Sequence, residues 1–374
     1  MDSGVEAQAN GGSLASHANG PRKCSTGTPR EPSEDPHVRG HTQSGRSPLQ
    51  TMADTKAQMA NRAMARTEVS GAAVAEFGFS ASQGVHWDEY ISFRPVYPPS
   101  FFGRIYDYHS TKARAAWSTA HDVGAGCGIV SAQLASRFER VVVSDPNDGY
   151  VVVARKMLVD ELGLPEAKLT FLQESAEASS LTSGTVDLIT ACECIHWTDA
   201  TASLGDFARQ LKPGGTLVLT HYNVPRIADN EAAQRIWTAI WAIHSTKARG
   251  ALFDRAFRLC NNGLEGIEFP ESEWTSVRRT YINAHGTLDS FKLNDRTGES
   301  RVKAGEEKVW EDGDEGWCHR RGIDWLRGYL GTWVPRIPES ELQPLWHEMA
   351  LVLKGERVRI EYPVVMIFAT RTGE

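Results

Sequence analysis

The sequence predicts an α/β fold, a mostly parallel sheet with helices on both faces. Three observations predict it. From Ala116 to Tyr222, short apolar strand-like segments alternate with helix-length segments, the mark of consecutive right-handed βαβ units. The first strand runs straight into HDVGAGCGIVS, His121 to Ser131, with three glycines at alternate positions before helix-forming residues. The second strand ends on Asp145, about 20 residues beyond that loop.

The glycine loop is the organising element. Glycine lets the backbone turn where a Cβ would clash, and lets a ligand approach the main chain. The helix that follows offers free N–H groups and the positive end of its dipole. Such a loop is a ligand cradle.

Taken in order, residues 1–70 are rich in Gly, Ser, Pro, Asn and charge, with hardly any large apolar side chains. They cannot bury enough surface to offset ordering entropy, and read as a disordered leader. Asp2, Glu6, Glu31, Glu34 and Asp35 make an organelle-targeting peptide the weaker reading, and Met52, Met59 and Met64 leave a later start open. Residues 71–116 read as an N-terminal helical flap, aromatic and punctuated by Pro95, Pro98 and Pro99. Pro99 suits the start of a helix over 100–109, with Phe101, Phe102, Ile105 and Tyr108 at helical spacing.

Residues 117–225 read as the core, with strands at 119–123, 141–145, 169–173, 186–192 and 216–221 and helices at 129–138, 149–162 and 201–211. Lys212-Pro213-Gly214-Gly215 is a helix stop and tight turn. Residues 226–374 read as substrate-cap helices and the last two sheet strands. A helix spans about 230–262 with Ile236, Ile240 and Ile243 on one face, and Asp229 can cap it. A strand covers 273–284. Residues 293–316 are acidic and Gly-rich, a solvent loop. Helices follow at 323–330 and 339–353, and a strand at 359–372.

Bulk composition excludes several classes. The 374 residues carry a net charge of −7 and no basic stripe, which argues against nucleic-acid or anionic-membrane partners. No apolar run of about 18 residues exists to span a membrane. The six cysteines are scattered. Cys192 and Cys194 have no second pair, so no zinc spacing is expected and no metal. Reduced thiols fit a cytoplasmic protein.

The ligand follows from the glycine spacing. A dinucleotide loop wants G-x-G-x-x-G, but here Gly124, Gly126 and Gly128 alternate and Ile129 stands in the third dinucleotide position. This loop, with Asp122 before it, resembles motif I of the class I S-adenosylmethionine (SAM) methyltransferases. Three companions strengthen the resemblance: Asp145 in VVVSDPNDG, the Glu174-Ser175-Ala176-Glu177 turn, and VDLITACECIHWTD followed by LKPGGTLVLT. It covers about residues 120–222.

The resemblance implies SAM as cofactor and a Rossmann-like, seven-stranded sheet whose antiparallel last strand is 359–372. It implies cofactor contacts from Asp122, Gly124, Ala125, Gly126, Gly128, Asp145, Pro146, Ser175, Ala176, Glu177 and Ala191. Asp145 would accept the ribose hydroxyls. Ser175 departs from the Asp many members carry there, which leaves adenine recognition to backbone or to Glu177.

A narrower resemblance lies in Arg94-Pro95 and Tyr97-Pro98 together with His196-Trp197. These are similar to the trans-aconitate methyltransferase-like group, common in fungi, whose members methylate small acids and secondary metabolites. Gly322 to Pro335, GIDWLRGYLGTWVP, is similar to that group's C-terminal cap. The expected activity is methyl transfer to a carboxylate or hydroxyl oxygen of a small metabolite.

The expected catalytic residues are His196, Tyr97 and Arg94. Substrate contacts are expected from Tyr90, Trp197, His221, Trp325, Tyr329 and Trp333. His196 reads equally as a base or as a structural partner of Trp197. An NAD-linked oxidoreductase and a non-catalytic SAM-binding partner subunit are the rival readings.

Overall fold

The computed structural model describes residues 87–113 and 115–373. The leader expected over 1–70 and the first part of the flap lie outside the described residues. Helices α1 (Trp87–Phe93) and α2 (Pro99–Ser110) come first. Pro99 takes the first position of α2, where its fixed φ suits the helix and its missing N–H costs nothing. Phe101, Phe102, Ile105 and Tyr108 form its buried face.

The core then runs β1 (Thr119–Val123), α3 (Ile129–Leu134), β2 (Arg140–Asp145), α4 (Asp148–Arg155), β3 (Leu169–Gln173), β4 (Val186–Cys192), α5 (Ala200–Gln210) and β5 (Leu211–Tyr222). A π-helical turn, Lys156–Glu161, continues α4. Beyond lie β6 (Arg226–Ile227), α6 (Glu231–Lys247), α7 (Ala251–Cys260), β7 (Trp274–Ile282), β8 (Glu307–Glu311), β9 (Cys318–Arg321), α8 (Ile323–Gly331), α9 (Glu339–Leu353), β10 (Val358–Glu361) and β11 (Val364–Arg371).

The main sheet has the order β3-β2-β1-β4-β5-β11-β7-β8. Strands β1 to β5 pair in parallel. β11 is antiparallel to both its neighbours, β5 and β7. Every residue of β1 and β4 is buried, as befits central strands covered on both faces. The chain leaves β1 on one side for β2 and β3, then returns to its other side at β4. That reversal opens a crevice at the carboxyl ends of β1 and β4.

Four elements differ from the sequence expectation. The solvent loop over 293–316 carries β8, which lies parallel to β7 and makes the sheet eight-stranded. Its acids have partners: Glu306 meets the fully buried Arg279 at 2.5 Å, Glu307 meets Arg278 at 2.7 Å, and Trp310 stacks on Tyr281. The helix over 230–262 is two helices, broken at Gly250, whose φ of +100° favours glycine. Asn230, not Asp229, caps α6, its side chain accepting from Ala233 N at 2.9 Å. Asp229 accepts from Arg359 N instead.

The last strand is also split, at Tyr362-Pro363. β10 joins a separate antiparallel sheet, β6-β10-β9, and β11 joins the main one. The Lys212–Gly215 turn is a bulge inside β5, where pairing with β4 steps from Val186↔Leu211 to Leu188↔Thr216. No described helix is long and apolar enough to cross a membrane.

Candidate active site

At the end of β1 the backbone turns through Gly124, Gly126 and Gly128 with φ of +60°, +55° and +85°. A Cβ on Gly124 would stand 2.4 Å from the Cβ of Cys194, so only glycine lets this loop close on β4's end. A Cβ on Gly126 would reach only the ring of Tyr150, at 3.8 Å, leaving the loop floor open. Asp122 clamps the loop from below. Its carboxylate accepts from Ser131 Oγ at 2.6 Å and from Thr190 Oγ1 at 2.8 Å, and burial lifts its pKa to about 6.

Asp145, at the end of β2, is also buried. It accepts from the backbone N–H of Gly126 at 3.1 Å and of Asn147 at 3.0 Å. Burial outweighs those bonds and carries its pKa up to about 7. The loop, Asp145, Pro146 and the Ser175-Ala176-Glu177 turn line one cleft with Tyr90, Arg94, Tyr97, His196, Trp197, His221 and Trp333. Its empty space is about 1490 Å³, open solvent included.

The far wall is charged and aromatic. His196 and Trp197 sit in a single 3₁₀ turn after β4, and the His196 ring meets that of His221 edge to face, centroids 5.2 Å apart. His221 is the penultimate residue of β5, and its Nδ1 lies 3.3 Å from the Glu193 carboxylate and 3.9 Å from Cys260 Sγ. Burial alone would depress His221, but Cys260 and Glu193 hold it up at about 10. Burial drives His196 well below its ordinary value, and the charge on His221 adds to that. Ligating atoms of His196, His221 and Cys260 lie within 4.8 Å of one another, a grouping that the sequence spacing does not suggest.

Arg94 is a strut between flap and cap. It is buried, donates to Thr332 Oγ1 at 2.9 Å and to Thr332 O at 3.1 Å, and lies over the Trp333 ring at 4.4 Å. Tyr97 packs against Phe101, Trp317 and Tyr222. Burial pushes Tyr90 up to about 12. Glu177 accepts from Asp199 N at 2.9 Å. Cys194 donates to Val123 O, and burial pushes the thiols of Cys192 and Cys194 well up, so neither is a ready nucleophile.

Four expected contacts lie off the cleft. A Cβ on Gly128 would meet Leu158 at 2.9 Å, so this glycine serves helix packing. Ala191 is fully buried among Ile189, Leu217 and Leu219. Trp325 stacks on Tyr329, and Tyr329 is enclosed by Trp237, Trp241 and Tyr362. Only Trp333 of that trio reaches the cleft.

The structure adds Asn147, Tyr150, Glu193, Asn223, His244 and the α7 face of Phe253, Ala256, Phe257 and Cys260. That face repeats at i, i+3, i+4 and i+7, a signal present in the sequence. Glu193 leaves none, since its left-handed φ of +59° belongs to no residue pattern.

Residues 121–219 match the family model for a methyltransferase domain. Methyltransferase cfoB of Aspergillus candidus is 31% identical over 313 residues, covering 78% of this chain and 97% of its own. A methyltransferase of Claviceps purpurea is 28% identical over 298 residues, covering 76% of this chain and 91% of its own. Methyltransferase pgmE of Aspergillus terreus is 28% identical over 321 residues, covering 76% and 93%. A glycine cradle at the reversal point of a parallel sheet, opening on an aromatic cleft, is what such an enzyme requires, and this chain belongs to the class I SAM-dependent methyltransferases.

Proposed function

We propose that the enzyme transfers a methyl group from SAM to an oxygen of a small metabolite, in the manner of fungal secondary metabolism and in the cytoplasm. The observation that carries this reading is convergence. The glycine loop, Asp145 and the Ser175-Ala176-Glu177 turn share one cleft with His196, His221, Trp197 and an aromatic wall.

The residues fit the cofactor. Gly126 leaves the loop floor free of a Cβ, and Asp145 offers a buried carboxylate beside it. Asp145 would hold the ribose hydroxyls, with Gly124, Ala125 and Gly126 against the amino-acid portion. Ala176 and Glu177 would flank the adenine. Asp122 acts through the loop, since Ser131 and Thr190 occupy its oxygens. When bound, SAM supplies an activated methyl group.

The chain's own work is orientation and exclusion of water. Tyr90, Tyr97 and Arg94 close the flap side. Trp197, Phe253, Phe257 and Trp333 wall an apolar space for the acceptor's body. His196 would face the acceptor oxygen, with His221 behind it. The cap, residues 226–374, would set which acceptor fits.

The test is transfer of labelled methyl from SAM across a panel of phenols and carboxylic acids, with product mass read directly. A labelled O-methyl product supports the reading. Transfer only to nitrogen or carbon acceptors would remove the oxygen assignment.

A further inference from the structure

Four buried ring nitrogens on cleft residues have no hydrogen-bond partner among the described residues; besides Nε2 of His244 and Nε1 of Trp333, two sit on neighbouring histidines, Nδ1 of His196 and Nε2 of His221. They belong to rings in edge-to-face contact. Leaving such atoms unpaired costs stability. Ligating atoms of the two histidines lie within 4.8 Å of one another, and a small rotation of either ring would be needed to join Nδ1 of His196 to Nε2 of His221. The other nitrogen of His221 is already engaged by Glu193.

Glu193 is itself held in the left-handed region, where a non-glycine residue is strained. Its N–H donates to Thr220 O at 2.9 Å, and its carboxylate accepts from the Tyr222 N–H. Those bonds offset the strain and keep a carboxylate against His221 just past the end of β4. The charged and titratable groups that face the histidine pair are Glu193, Cys260 from α7 and Arg94 from beyond α1.

We propose that Glu193, His221 and His196 form a proton relay ending on the acceptor oxygen, and that the acceptor is therefore an acidic hydroxyl, a phenol or enol on an apolar body. The inference rests on the reading of the cleft as the site of SAM and acceptor. His196 Nε2 takes the hydroxyl proton as the O–H bond breaks. The Nδ1 proton of His196 passes to His221 Nε2, and Glu193 holds the resulting charge.

The acceptor oxygen then forms the C–O bond while the methyl carbon leaves sulfur, which keeps the bonding pair. One proton per turnover reaches water: as the acceptor binds, where it ionises on meeting an already charged His221, or from His221 after product leaves, where it binds neutral to a neutral His221. An acceptor that arrives ionised at an already charged His221 reaches the same complex. The depressed His196 and raised His221 agree with this order, since the charge rests on His221. His196 touches substrate and is the catalytic residue; His221 and Glu193 act through it. A carboxylate acceptor has no proton to lose and would leave the relay idle.

The test uses the full chain with S-adenosylhomocysteine bound and its histidine nitrogens labelled. NMR should find one imidazolium at about pH 8, lost in Glu193→Gln and retained in His196→Asn. With 2-naphthol as acceptor, His196→Asn should lower kcat by at least ~100-fold. Glu193→Gln should move the alkaline limb of kcat/KM down by more than about one pH unit, SAM affinity staying within about twofold. Glutamine is isosteric and can still accept from Tyr222, so a histidine variant that fails to fold leaves the test standing. The spectra decide whether or not 2-naphthol is turned over.

The relay is overturned if Glu193→Gln changes neither spectrum nor profile, or if 2-naphthoate is methylated in preference to 2-naphthol. It is also overturned if the purified protein retains one equivalent of metal on His196, His221 and Cys260. Absence of SAM binding in the unaltered enzyme would instead overturn the underlying reading of the cleft.

Discussion

Asp145, the residue proposed to hold the ribose, is also one whose protonation is tied to the fold. Its folded pKa of about 7 stands above the ordinary 3.8, so the folded state holds the proton more tightly than the unfolded chain. Ionising it works against folding, and its stabilising contribution is lost as pH rises through that window. Asp145→Asn should therefore gain on the wild type by up to about 4 kcal/mol between pH 4 and 7, read by urea unfolding. A difference that does not change with pH would contradict this. Asp145 and Gly124 are legible in the sequence because their jobs demand particular residue types. Glu193 is not, because a backbone angle imposed by surrounding packing leaves no trace in residue type. Gly128 has a packing reason of its own, since a Cβ there would meet Leu158.

At the scale of elements, strands at 119–123, 169–173 and 186–192 match their expected bounds, because each is a short segment held between turn or loop signals. β8 is hidden because its sequence, EKVWE, is charged and reads as solvent loop. Its attachment is Arg279, fully buried, bonded to Glu306 and to the carbonyls of Leu264 and Ile267. Glu306→Ala strands that guanidinium, and denaturant unfolding should show a loss of about 3–5 kcal/mol. A loss under about 1 kcal/mol would mean the pair is a bystander.

Hydrophobic periodicity alone merges α7 with α6, since only Gly250 marks the break. Phe253 and Phe257 of α7 line the cleft, on the side proposed for the acceptor. Phe257→Ala should raise the acceptor KM by roughly 10-fold or more, because the acceptor's apolar body would no longer be covered by the ring. SAM affinity should hold. Equal damage to both would assign Phe257 to the scaffold.

For the whole molecule, the strand order does the positioning. Reversal between β1 and β4 brings the ends of five consecutive parallel strands to one edge, and each contributes to the same cleft. That much follows from alternation and the glycine loop, which is why the cofactor half is readable. The half of the cleft proposed for the acceptor is built from α1, α7 and the turn after α8, joined across long sequence separations such as Arg94 to Thr332. No local pattern encodes such pairings, so of the expected aromatic trio the single ring Trp333 reaches the cleft.

The central claim is that the loop and Asp145 hold SAM. Calorimetry of SAM against the wild type and Asp145→Ala tests it most directly. The account predicts one SAM bound per chain, with the variant weaker by roughly 1–3 kcal/mol. No heat with SAM, or an affinity unchanged by the substitution, would contradict it.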